Sequence, residues 1–72
     1  MGSRYPLLPG GKIVSALGRD GFAVVSQRGS HIKMRKHDRT VIVPAHDEVA
    51  RGTLRSILEQ ANLTLEQFLS LL

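Results

Sequence analysis

The stretch Arg28-Gly29-Ser30-His31-Ile32-Lys33-Met34-Arg35-Lys36 decides the fold. Gly29 and Ser30 are turn residues, and the residues after them alternate in character as a strand does. Successive side chains of a strand point to opposite faces. His31, Lys33 and Arg35 therefore share one side, while Ile32 and Met34 share the other. One face offers a titratable base with two cations beside it, and the opposite face offers anchors for a core. That layout suits gripping a phosphodiester and moving a proton on it.

Working outward, residues 22–27 (Phe-Ala-Val-Val-Ser-Gln) are rich in β-formers and predict a first strand. Residues 31–36 follow the Gly29-Ser30 turn as the second. His37-Asp38 makes another turn, and residues 39–43 form a third strand stopped by Pro44, which cannot donate to a ladder. Two short connections in succession imply an antiparallel meander. Upstream, Pro6 and Pro9 mark residues 1–9 as an irregular arm. A helix then presents Ile13, Val14 and Leu17 with Ala16 beside them. Its start at Gly10-Gly11 has no Ser, Thr, Asp or Asn cap, and Gly21 suits a left-handed position past its end. Downstream, residues 45–51 make a polar connection carrying His46, Asp47 and Glu48. A second helix begins near Gly52-Thr53 and shows Leu54, Ile57, Leu58 and Ala61 at i, i+3, i+4, i+7, with Asn62 ending it. Thr64 and Gln67 make a capping box for a last short helix bearing Leu65, Phe68, Leu69 and Leu72. The expected architecture is a two-layer α+β domain in the order α-β-β-β-α with a short extra C-terminal helix, the helices lying on one sheet face.

At 72 residues the chain is expected to be one domain, near the size where only about 60% of the unfolded surface can be buried. It has no cysteine, so neither a disulfide framework nor a thiolate zinc site is available, and a cytoplasmic setting fits. No run reaches the ~20 apolar residues of a membrane span. Met1-Gly2 opens like a myristoylation signal, but Pro6 stands where that motif wants Ser or Thr. Charge is unevenly spread. Arg28, Lys33, Arg35, Lys36 and Arg39 face only Asp38 in the hairpin, an excess of +4 that equals the net charge of the whole chain. Such a patch draws polyanions, nucleic acid first.

Four short motifs stand in order: Gly21-Phe22, Gly29-Ser30-His31, Val43-Pro44-x-His46, and Gly52-Thr53-Leu54-Arg55-Ser56-Ile57-Leu58. Together they resemble the HicA toxins of bacterial and archaeal toxin–antitoxin pairs, and the resemblance runs from about residue 6 to residue 72. It implies a fold like the double-stranded RNA-binding domain, an mRNA-cleaving activity that needs no metal or other cofactor, and a partner antitoxin, HicB, that covers the active surface. The family's catalytic histidine lies in the Gly-Ser-His motif, which corresponds to His31.

The residues themselves fit those roles to different degrees. RNA self-cleavage needs a base for the 2′-hydroxyl, an acid for the leaving oxygen, and cations for the phosphate. His31 is the candidate base, since imidazole titrates near pH ~6.5. Arg28, Lys33 and Arg35 are the candidate phosphate contacts. Ser30 shapes the turn or bonds a phosphate; a nucleophilic role lacks an orienting acid. His46 is open between general acid, phosphate contact and a structural tie after Pro44, the tie being favoured. Arg55 lies off the apolar stripe of its helix, available to phosphate or to an acidic partner. His37 is read as solvated. The three histidines lack metal-ligand spacing. A non-catalytic module that reads A-form RNA by shape, or an inactive toxin that keeps only antitoxin binding, is the competing reading.

Overall fold

A computed structural model describes residues 4–72; Met1-Gly2, read above for a lipid signal, lies outside that range. The chain runs α1 (Gly10–Arg19), β1 (Ala23–Arg28), β2 (His31–Lys36), β3 (Arg39–Pro44), α2 (Arg51–Ala61) and α3 (Leu65–Leu69). The strands form one antiparallel sheet in the order β1-β2-β3, and the helices pack on one face of it. This is the expected α+β arrangement, consistent with the double-stranded RNA-binding fold. No helix of the described residues is long and apolar enough to cross a membrane.

The core is a single apolar cluster between the two layers. Met34, Val41 and Val43 supply the sheet side; Ile13, Ala16 and Leu17 come from α1, Leu54, Ile57, Leu58 and Ala61 from α2, and Leu65 and Phe68 from α3. Phe22 and Val49 complete it from the connections. Both long helices centre on β3, so the first strand is left uncovered. All six residues of β1 are exposed, Val24 and Val25 about half so, at 52% and 50%. The β-rich composition of residues 22–27 therefore marks an edge strand with a wet surface on both sides. Its span is also one residue later than predicted, because Phe22 turns into the core before the ladder begins. A bulge at Val25 interrupts its pairing with β2, which blunts an otherwise free edge.

Three local features explain how so short a chain holds these layers. The α1 terminus is closed by a Schellman motif: Phe22 N–H bonds Leu17 C=O and Gly21 N–H bonds Gly18 C=O, with Gly21 at φ 108°. Asn62 does the same for α2 at φ 60°, through Leu63 N–H to Leu58 C=O and its own N–H to Glu59 C=O. Thr64 and Gln67 form the expected reciprocal capping box. The arm before α1 is irregular but not loose. Leu8 pairs with Val49, and Arg51 Nε donates to the Tyr5 carbonyl at 2.7 Å. The segment read as a polar connection thus contains a core residue, Val49, 1% exposed.

The uncapped start of α1 has its own reason. Pro9 occupies the N-cap position with no side-chain cap bond, and Gly10 N–H instead donates to the His46 carbonyl at 2.8 Å. Gly10 is buried against the end of β3, where a Cβ would overlap the Pro44 carbonyl oxygen and crowd Ala45. Gly11, one residue on, has open space around it. Gly10→Ala should accordingly destabilise by about 1–3 kcal/mol through overpacking, lowering Tm by roughly 5–20 °C in a domain of this size. Gly11→Ala should raise Tm, since alanine gains up to about 1 kcal/mol in a helix. Thermal melts of the two variants followed by circular dichroism check both; equal behaviour would contradict the close approach at Gly10.

Candidate nucleic-acid interface

The sheet face away from the helices carries the predicted site. Its register is set by the Gly29-Ser30 turn, which pairs Arg28 with His31 and then Ser26 with Lys33; the bulge shifts the frame so that Ala23 pairs with Arg35. On the other side His31 pairs with Pro44, Lys33 with Ile42 and Arg35 with Thr40. Directly paired residues share a face. The open face therefore reads as three rungs, Arg28–His31–Pro44, Ser26–Lys33–Ile42 and Ala23–Arg35–Thr40. Rungs lie roughly 6.5–7 Å apart, two residues of strand rise.

Three cations and one imidazole stand on this face with no acid among the residues of the rungs. Ser26, Arg28, His31, Lys33 and Ile42 line a shallow depression across it. Arg35 is steadied by Nε donating to Thr40 Oγ1 at 3.3 Å. His31 is exposed, and among the described residues no protein group bonds its ring. Its backbone, by contrast, is firmly placed. It is the first residue of the central strand, paired on both sides. The turn before it is held by Gln27 Nε2 on the Gly29 carbonyl at 3.2 Å and by Ala45 N–H on the Ser30 carbonyl at 2.6 Å.

The remaining cations of the hairpin are elsewhere. Lys36 lies on the helix side, over the Phe22 ring, with Nζ 3.1 Å from Asp20 Oδ2. Arg39, its cross-strand partner, reaches the Gln60 carbonyl at 3.4 Å near the end of α2, where a cation meets the negative pole of the helix. The +4 excess of the hairpin is thus divided between two faces, and only Arg28, Lys33 and Arg35 serve the open one. Arg55 sits on α2, in the helical layer, 3.5 Å from Glu59 one turn on, so the fold does not bring it to the depression. Ser30 is exposed in the turn beside His31.

His46 is exposed, two residues past Pro44, and its carbonyl takes the Gly10 N–H. The loop after Pro44 is thus joined to α1 by a backbone contact that any residue at position 46 would make. Two residues of the depression, Ser26 and Ile42, went unmarked in the sequence. Counting back from the Gly29-Ser30 turn places Ser26 opposite Lys33, and counting forward from His37-Asp38 places Ile42 there too. The hairpin register was the available signal.

No curated protein gives a significant match to this chain. A family model does: that for the "HicA toxin of bacterial toxin-antitoxin" matches residues 10–63, from the first residue of α1 to just past α2. That span contains the whole sheet and both rung-forming turns, and it covers well over half of the chain; the protein belongs to the HicA toxin family and is the toxin of a toxin–antitoxin pair.

Proposed function

We propose that the toxin is a metal-independent endoribonuclease that cleaves mRNA on the open sheet face, with His31 as the base. The observation that carries this reading is the rung arrangement: an unengaged imidazole among three cations on a face without an acid. His31 removes the proton of a ribose 2′-hydroxyl, and the 2′-oxygen attacks the adjacent phosphorus. The bond from phosphorus to the 5′-oxygen breaks as the new one forms, leaving a cyclic 2′,3′-phosphate and a 5′-hydroxyl once an acid returns a proton to the leaving oxygen. Arg28, Lys33 and Arg35 hold the phosphate and offset the charge that builds on it; Ser30, exposed in the turn beside His31, is the candidate to bond a phosphate oxygen. His46 is the candidate for the returning acid, with the backbone tie to Gly10 as its other role. Arg55 acts away from the reaction, on phosphate or on an acidic partner. The chain works as a single domain in the cytoplasm.

The cognate HicB-type antitoxin covers the same face and excludes RNA by competition, bringing acidic groups to it. Hydrogen exchange on the complex should show protection in residues 23–44. Protection confined to α2 and α3 would rule out direct occlusion.

His31→Ala should lower cleavage by about 10²–10⁴-fold, the usual worth of a general base. Stability should change by no more than about 0.5 kcal/mol, as for other exposed positions, and RNA binding should survive on the remaining cations. Undiminished cleavage would replace the enzyme with the binding-module reading. Lys33→Ala with Arg35→Ala should weaken binding to all sequences alike and reduce the slope of log K against log salt by about 1.4, two phosphate contacts on a single strand. Cleavage should persist in excess EDTA; activity lost there and restored by Mg²⁺ would count against the mechanism.

A further inference from the structure

The open face is not uniformly charged. Down the central strand run His31, Lys33 and Arg35; down the neighbouring edge strand, on the same face, run Ile42 and Pro44. Ile42 is a large apolar side chain left 42% exposed, directly across from Lys33, and it helps line the same depression as His31 and Ser26. An exposed isoleucine alone needs no explanation. One inside a depression otherwise built from Arg28, His31, Lys33 and Ser26 does, because it removes a polar contact from the middle of a polyanion surface.

We infer that Ile42 is the seat of an unpaired RNA base, so that the substrate class of this site is single-stranded RNA, laid with its phosphates along His31, Lys33 and Arg35 and one base turned sideways onto Ile42. The inference rests on the proposal that this face takes RNA. Adjacent strands are about 4.8 Å apart, so the apolar track lies beside the cationic one as a base lies beside its own phosphate. Ser26, on the opposite side of Lys33, keeps the charged track flanked by a small residue and leaves the strand room to lie across the sheet. In a duplex the bases are stacked inside and meet the protein by groove edges and 2′-hydroxyls; an apolar side chain between cations would then face sugar and phosphate. In a single strand the base has a free π-face, and contact with that face is tolerant of sequence. The described residues offer no aromatic platform for this: Phe22 and Phe68 are buried, and Tyr5 packs against the core cluster. Ile42 is the large apolar side chain that the depression presents.

The test compares binding of two length-matched probes, oligouridylate and the same ribose-phosphate chain without bases, to protein carrying His31→Ala so that both remain intact. Ile42→Ala should weaken oligouridylate about fivefold, the share of a half-exposed isoleucine, and leave the abasic chain unchanged. Ile42→Phe, which adds a stacking surface, should tighten oligouridylate and again leave the abasic chain alone; melts of both variants establish that they fold. Equal loss on both probes, no change on either, or tighter binding of an RNA duplex with the same Ile42 dependence would each overturn the base seat. Cleavage of oligouridylate by the His31→Ala protein would instead overturn the catalytic reading and leave the base seat standing.

Discussion

Everything in this small fold hangs on how residues 44–46 are wedged between the first helix and the hairpin. Gly10 N–H bonds the His46 carbonyl, Ala45 N–H bonds the Ser30 carbonyl, and Pro44 lies opposite His31. Three consecutive residues thus join the start of α1, the turn that precedes the central strand, and the first residue of that strand. The approach is close enough that only a residue without a Cβ fits at the helix start. Packing of α1 onto β3 and placement of His31 are consequences of the same contacts. A buried backbone N–H that found no acceptor here would cost about as much as a lost hydrogen bond, so the wedge also satisfies one orphan donor of an uncapped helix, the Gly10 N–H.

Strand alternation then sorts charge. A run of cations in one hairpin looks like one patch, but successive residues belong to different layers. Lys36 and Arg39 point toward the helices, where an acid and a helix end engage them. Arg28, Lys33 and Arg35 point away, where the rungs offer no acid. Lys36, half-buried, acts in holding the layers together: it spans from the sheet to Asp20 just past α1, across the Phe22 ring. Arg28, Lys33 and Arg35 repel one another in a screened medium, at modest cost, and on the proposed function that unrelieved field is what a polyanion gains by binding.

The sequence was most readable where one physical rule acted alone. The capping box at Thr64, the left-handed ends at Gly21 and Asn62, and the stripe Leu54–Ile57–Leu58–Ala61 were each legible because the chemistry is local and the pattern fully stated. It failed where two distant segments meet. Val49 read as part of a polar connection because its apolar partners lie in α1, α2 and the sheet, and its backbone partner, Leu8, is far away in the chain. The β-rich residues of β1 predicted a strand, and they form one, yet no helix covers it; composition reports strand propensity but not which strands a helix will roof. The same holds for the site. His31, Lys33 and Arg35 were visible as one face of one strand, whereas Arg28, Ser26 and Ile42 join them only through register, and the bulge at Val25 decides where that register ends.

Register also explains why a lone imidazole suffices on the proposed reading. A catalytic histidine is commonly oriented by a carboxylate that fixes its tautomer. No such partner reaches His31 among the described residues, and a carboxylate on this face would compete with the phosphate for Arg28 and Lys33. Positioning comes instead from the backbone. The histidine is the first residue of the central strand, paired on both sides, behind a turn held by Gln27 and Ala45. The rungs of this face carry no acid, which on the proposed reading serves substrate binding. On the same proposal, a partner that supplies the missing acids gains from the same unrelieved field as the RNA and occupies the same rungs to do so. Under that proposal, inhibition by occlusion follows from the charge that binds substrate and needs no conformational change in the toxin.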